Sequence, residues 1–413
     1  MLGFTQVQIP DSITLENRIY HPDILSMKIE KIGKMFEMPV ILLNSSEQLQ
    51  LTFDDKSDNS KYLRYTFIHC DYDWKSQTPI NKNEYMGMFE DMEIYDYQTS
   101  INTIQFFTSY TITFPNNDMQ ITKSGNYIIY VYDDETKEPI LTHRFYVVEN
   151  KVSIGLTVKQ PDNISLRQTH QELNVNIANP SFRINSSYKN LKVAIMQNGR
   201  TDNMYIATNP TFVYGESIVY NQPNEIVFEG GSEFRAFNIR TLQTTMYHVA
   251  RNSYIGNANY SFLYTDSERQ YLPYDDQKDN NGYYFITSDD GDSLYGADYT
   301  NVYFSYDGVI PYDMDIYVFG ELTNWRLLPE AKLEYDDYKK NWKTSLYLRM
   351  GYYNYCYLAV FKNKTKGYTQ YTEGNHWQTK NRYNAFVYYQ GDNLGYDRII
   401  GYTEYFSNNG MDY

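Results

Sequence analysis

Apolar residues in this chain come in short runs of period two, separated by turn clusters. No stretch approaches the ~18 consecutive apolar residues of a membrane helix, and none sustains helical periodicity. Leu49-Gln50-Leu51-Thr52-Phe53 alternates cleanly, and Asp54, Asp55, Lys56, Ser57, Asp58, Asn59 and Ser60 follow it as a turn. A chain written this way buries one face of each short segment against a neighbouring layer. Stacked sheets are the expected outcome.

The same pattern recurs along the chain. Runs at 38–43, 127–132 and 141–148 read as strands, the last two forming a hairpin across 133–139. Residues 62–74 are apolar on both faces, with Leu63, Tyr65 and Phe67 on one side and Ile68 and Cys70 on the other, which predicts a central strand between two layers. Further strands are expected at 152–158, 173–177, 191–196, 302–306, 315–319, 344–348, 353–361 and 385–389. The longest expected helix is a short one within 83–92. Aromatics make up 17% of the chain, 46 of them Tyr, and such residues favour pleated, half-buried surfaces.

With 413 residues there is room for two to four domains. A fresh strand series begins after 148–151, and 254–296 is rich in Asp, Asn, Gly and Tyr, which reads as connecting loops. The expected units are therefore 1–150, 151–290 and 291–413.

Charge and motifs exclude several functions. The 36 basic and 51 acidic residues leave a net charge of −15, which argues against binding a phosphate backbone. Cys70 and Cys356 are too far apart for a metal or redox pair, and both sit in apolar runs as small hydrophobes. Six His are scattered without ligand spacing; His69 and His143 fall in strands and read as packed residues. Asp276 to Gly282 misses the register of a calcium loop, and Glu90, Asp91, Glu93, Asp289, Asp290 and Asp292 read as solvated acids. No nucleophile elbow, phosphate loop or dinucleotide fingerprint is present. No catalytic residue, metal or cofactor is expected, and the chain does not read as an enzyme. Met1-Leu2-Gly3-Phe4 lacks the charged start of a secretory signal, so the chain reads either as cytoplasmic or as a mature form.

Three segments carry more than turns need. Residues 83–91 mix Tyr85, Met86 and Phe89 with acids; 225–237 place Gly230-Gly231 between Phe228 and Phe234-Arg235; 197–203 hold an Asn-Gly turn followed by Arg200. Aromatic, Met and Arg side chains dominate interface cores, so these seven residues are candidate partner anchors. The competing reading makes them turns, strand ends and core.

Near the end, Tyr317-Val318-Phe319-Gly320-Glu321-Leu322-Thr323-Asn324-Trp325 precedes Gly351-Tyr352-Tyr353-Asn354-Tyr355. This resembles glycogen-binding early-set modules, in which Trp325 would stack on a sugar, with Trp377 as a second platform. Packing is the other role open to Trp325. The resemblance makes the fold all-β, with three tandem immunoglobulin-like or early-set sandwiches, and carries a carbohydrate-binding alternative.

Over most of the chain the strings Ser45-Ser46-Glu47-Gln48-Leu49, Phe67-Ile68-His69-Cys70-Asp71-Tyr72-Asp73-Trp74, Lys123-Ser124-Gly125-Asn126-Tyr127, Thr169-His170-Gln171-Glu172, Gln197-Asn198-Gly199-Arg200 and Val227-Phe228-Glu229-Gly230-Gly231 resemble the type IX secretion system plug proteins of Bacteroidota. The resemblance implies a non-catalytic periplasmic protein in its mature form, its signal peptide removed, associated with the outer membrane through its partner. It implies binding to the periplasmic mouth of the giant outer-membrane translocon β-barrel, alternating with the cargo-shuttle protein. It implies no cofactor. A spanning outer-membrane barrel is disfavoured by irregular strand spacing.

Overall fold

In the computed structural model, which describes residues 10, 13–57, 61–290, 294–391 and 395–407, the period-two runs become strands and the only α-helices are single turns. The short helix expected within 83–92 is Lys82–Tyr85. Residues 58–60 of the expected turn, Asp292, the first residues and the last six lie outside the described residues.

The first sandwich packs two sheets. One runs Arg18–Ile19, Pro139–Val148, Gly125–Asp133, Leu63–Cys70, Asp91–Glu93, with Val40–Leu42 added in parallel to Pro139–Val148. The other runs Ile24–Lys31, Leu49–Asp55, Thr108–Phe114, Tyr97–Thr99. Leu49, Leu51 and Phe53, the clean alternation, all point into the core between them. Phe67 and Phe114 meet Phe145 there at ring separations of 5.4 and 5.0 Å. The other face of Leu63–Cys70 is covered too: Ile68 and Cys70 pack in a separate core with Phe386, Tyr388 and Met196. That explains a strand apolar on both faces.

The middle sandwich corrects the expected boundaries. Its first sheet runs Ser153–Lys159, His170–Ala178, Ser217–Tyr220, Phe212–Tyr214. Its second pairs Leu191–Gln197 with Arg382–Tyr389, from Leu191 opposite Tyr389 to Gln197 opposite Tyr383, and then Arg398–Phe406. The last strands of the chain thus belong here and not to a unit running from 291 to the end. Alternate residues of Arg382–Tyr389 serve two cores: Ala385 and Val387 face the middle sandwich, Phe386 and Tyr388 face the first. Local sequence shows that this strand is buried on both sides, but not by what.

The third sandwich is inserted between the two halves of the middle one and begins well before 291. Arg235–Asn238 pairs with Gly351–Phe361, and the hairpin Val249–Ile255 and Ala258–Leu263 extends the sheet of Tyr299–Asp307 and Asn341–Arg349. The 254–296 region is therefore part of this sandwich. Its polar residues read as linker because their partners are remote: Tyr274 donates to Glu233 at 2.5 Å, and the Phe234 N–H donates to Asp279.

Buried contacts lock the three units together. Tyr146 stacks on Phe386 at 4.3 Å, and the Tyr388 hydroxyl donates to Asn126 at 2.8 Å. Between first and third, Arg349 pairs with Asp54 at 2.9 Å while Tyr299 donates to the same carboxylate at 2.6 Å. Such paired, dry contacts resist shear between the units.

Candidate functional site

Most of the sequence-selected anchors are interior. Tyr85 and Met86 lie in the core of the first sandwich, and Phe228 lies in that of the middle one. Phe234 and Trp325 pack together with Tyr283 and Phe319 at the seam of the third, Trp325 lying 6.3, 5.6 and 5.8 Å from the three rings. A Trp enclosed by three rings has no free face for a sugar. Trp377 is half-buried, its N–H bonded to the Gln168 carbonyl and its own carbonyl accepting from Gln171. Both cysteines are buried and free, with burial pushing the thiols up.

The two arginines are equally committed. Arg200 is buried and forked onto Asp202 at 3.0 and 2.7 Å. Arg235 donates to Glu373 at 3.0 Å, to Asp266 at 2.8 Å and to the Ser267 carbonyl at 2.8 Å. Arg269 reaches the other Glu373 oxygen at 2.7 Å, and the Tyr355 and Tyr357 hydroxyls donate to Asp266. Burial works against ionisation of Asp266, but His248 and Arg235 outweigh it and hold the carboxyl at about 2. The double glycine serves this same seam: a Cβ at Gly230 would run into the His376 carbonyl. Close approach is needed, but to the chain's own backbone.

Of the anchors only Phe89 is exposed, and it opens onto a larger surface that the strand pattern concealed. Seven of the 28 large hydrophobic side chains exposed among the described residues fall within 88–106: Met88, Phe89, Tyr95, Tyr97, Ile101, Ile104 and Phe106. Met88 is 75% and Tyr95 71% exposed. The segment crosses from the edge of one sheet of the first sandwich to the edge of the other, as a strap over its open side. It starts with the Phe89 N–H on the Asp118 carbonyl at 3.1 Å and is pinned by Ile94, which is buried and donates to the Leu63 carbonyl at 2.8 Å. Tyr97–Thr99 then pairs with Thr108 to Tyr110. At the far end the Ile104 and Gln105 N–H groups donate to the Asp298 carboxylate at 2.7 and 3.1 Å, tying the strap to the third sandwich.

The strap carries acids and no base. Glu90, Asp91, Glu93 and Asp96 lie in it, and Lys and Arg are absent from 88–106. Arg64 forks onto Asp91 at 3.1 and 2.9 Å from the sheet behind. Burial opposes ionisation of Asp91, but Arg64 and Tyr132 outweigh it and hold the carboxyl below its ordinary value. Lys82 sits behind the same stretch, where burial pushes its ammonium down to about 8. Concentrated apolar exposure on a backbone held at both ends is the chemistry of a partner surface. Among the described residues no group of His, Cys, Asp and Glu is placed to hold a metal. The signal for the strap was available in the sequence at 94–107, where Tyr, Ile and Phe crowd a stretch with no period and no base.

Comparison with known proteins bears directly on this surface. Residues 24–149 match the model for the type 9 secretion system plug protein 1st domain. A crystal structure of a hypothetical protein from Parabacteroides merdae ATCC 43184 superposes with a TM-score of 0.92 at 31% identity, covering 96% of this chain and all of that one. Residues 24–149 thus carry the first domain of the type 9 secretion system plug family. The strap lies inside the matched plug domain, and the likeness to the Parabacteroides merdae structure extends over all three sandwiches. A second structure, the C-terminal domain of the Streptococcus pyogenes antigen I/II-family protein AspA, aligns at a TM-score of 0.15 and 6% identity, too low to carry a relationship. No curated protein matches. The matched plug domain supports a role in type 9 secretion.

Proposed function

We propose that this protein is the periplasmic, non-catalytic stopper of the type 9 translocon. It binds the periplasmic mouth of the outer-membrane β-barrel, closes it, and gives way when the cargo-shuttle protein docks. The observation that carries the reading is the strap: an exposed apolar ribbon, fixed at both ends, inside the plug domain itself. The rest of the molecule supports it. A stopper must hold its shape against a wide pore, and three sandwiches joined by buried ion pairs and stacked rings do so. The contact must be reversible, and a ribbon of Tyr, Ile and Phe edged with acids has the polar rim of a non-obligate interface.

Deleting the protein tests this. Outer-membrane permeability to a large antibiotic should rise while export of type 9 cargo continues, because a stopper lies outside the conducting path. Arrested export with normal permeability would instead make the protein a scaffold or chaperone of the system.

A further inference from the structure

A second feature lies on the opposite edge of the sheet that bears the strap. Ile24–Lys31 and Tyr97–Thr99 are the two terminal strands of the same four-stranded sheet. Beside the former, between the first and third sandwiches, is a cleft of about 530 Å³, within the range of about 300–1,000 Å³ typical of ligand sites. Four consecutive residues from each side line it, 24–27 of one strand and 345–348 of the other. Side chains alternate between the faces of a strand, so a cavity lined by consecutive residues is facing a strand edge. Two sheet edges from different sandwiches confront each other across this cleft.

The edges differ. Pairing of Ile24–Lys31 with Leu49–Asp55 shifts register between Leu25 and Lys28, and Ser26 takes a left-handed conformation with φ 51°. A bulge of this kind spoils an edge for further pairing. Across the cleft, Asn341–Arg349 pairs along its length with Tyr299–Asp307 on one side. On its other side Glu334–Asp336 covers only Asn341 to Lys343. Beyond Lys343 that edge has no strand partner among the described residues. The cleft wall presents Leu322, Leu328 and Tyr353, and apart from tyrosines its titratable lining is Glu330 and His21, with no Lys or Arg.

We propose that this cleft accepts an extended segment of a partner chain, which adds a strand to the open edge at residues 345–348. Backbone hydrogen bonds to the edge would supply affinity, and alternate side chains entering the apolar wall would supply selectivity, the general mode of strand addition. The occupant alternates apolar and polar residues, with its apolar face turned to Leu322, Leu328 and Tyr353, and it is neutral or basic because the lining offers the Glu330 carboxylate and no Lys or Arg. At about 530 Å³ the cleft has room for a short extended segment and not for a folded domain.

The test uses the full chain and a panel of end-blocked, fluorescently labelled heptapeptides in which Thr or Lys alternates with Val, Leu or Ile. At least one should bind in the micromolar range, and hydrogen exchange should slow at 344–349. The same peptide N-methylated at alternate backbone nitrogens keeps every side chain but loses the donors, and should bind at least tenfold more weakly. Equal binding of the methylated peptide would show a side-chain pocket without strand addition. Protection elsewhere, or no binding below millimolar concentration across the panel, would overturn the assignment outright.

Discussion

Residues 83–106 and 225–237 look alike in composition, both interleaving aromatic residues with acids and glycine, and they end up on opposite sides of the protein surface. The first closes a sandwich edge and leaves Met88, Phe89, Tyr95 and Tyr97 in solvent; the second threads a seam, with Phe228, Phe234 and Arg235 inside. The deciding difference is the arginine. A guanidinium can be buried where carboxylates converge on it, and Glu373 and Asp266 come from remote parts of the chain to do so. The strap has no cation of its own; its one such tie, Arg64 to Asp91, comes from the sheet behind, and its apolar side chains stay at the surface. Apolar-acidic composition identifies a segment of interest; whether it carries a cation on which remote carboxylates can converge tells which way it faces.

Substitutions can sharpen that contrast. The largest effect is expected from Arg235→Ala. Removing the cation leaves Glu373 and Asp266 buried without their principal partner, and breaking such a buried pair costs about 3–5 kcal/mol. Thermal or denaturant unfolding should show the loss directly. A near-neutral result would mean that the seam admits water and is not the rigid joint described above.

On the strap the pattern should invert. Phe89→Ser combined with Tyr95→Ser should weaken co-purification of the translocon about thirtyfold, if together they act as an interface anchor worth about 2 kcal/mol. Stability should stay within about 0.5 kcal/mol, as is usual for surface positions. Retained co-purification, or a matching fall in melting temperature, would remove the distinction between strap and seam.

The smallest expected effect is a pH dependence confined to the seam. Burial, reinforced by the charge of Asp279, lifts the Glu233 carboxyl from its ordinary 4.5 to about 7. The fold therefore favours the protonated form. The stability this contributes is complete below about pH 4.5 and is lost as pH rises through 7. Glu233→Gln keeps an acceptor for the Tyr274 hydroxyl and the Lys380 N–H while removing the titration. It should raise the melting temperature by a few degrees at pH 8, with the difference vanishing below pH 4.5. A difference that persists at low pH would point to packing and not to charge.

The limits of sequence reading follow from the same contrast. Strands were legible wherever alternation ran for several residues, as at 49–53 and 127–132, and their observed counterparts are Leu49–Asp55 and Gly125–Asp133. Thr108–Phe114 and Arg398–Phe406 went unseen because polar Thr, Ser and Glu interrupt their apolar residues. The boundary near 290 failed for another reason. Asp, Asn and Tyr were read as loop formers, but Asp266, Tyr274 and Asp279 are internal hydrogen-bonding groups with partners as far as 91 residues away. The strap was half legible: Phe89 stands out in the sequence, whereas 95–106, with no period and no motif, gives no reading.

By itself the sequence determined the local matter: short β-strands, two buried thiols with no disulfide, and an acidic chain with no sign of a catalytic motif. Those properties follow from alternation, spacing and charge, which are written along the chain. Tertiary structure alone decided that the final strands return to the middle sandwich, that Trp325 is enclosed by rings, and that Arg235 is a buried joint while the strap is a surface. Each of these depends on contacts between residues far apart in sequence. A side chain's burial is set by what arrives opposite it, and that information is nowhere local.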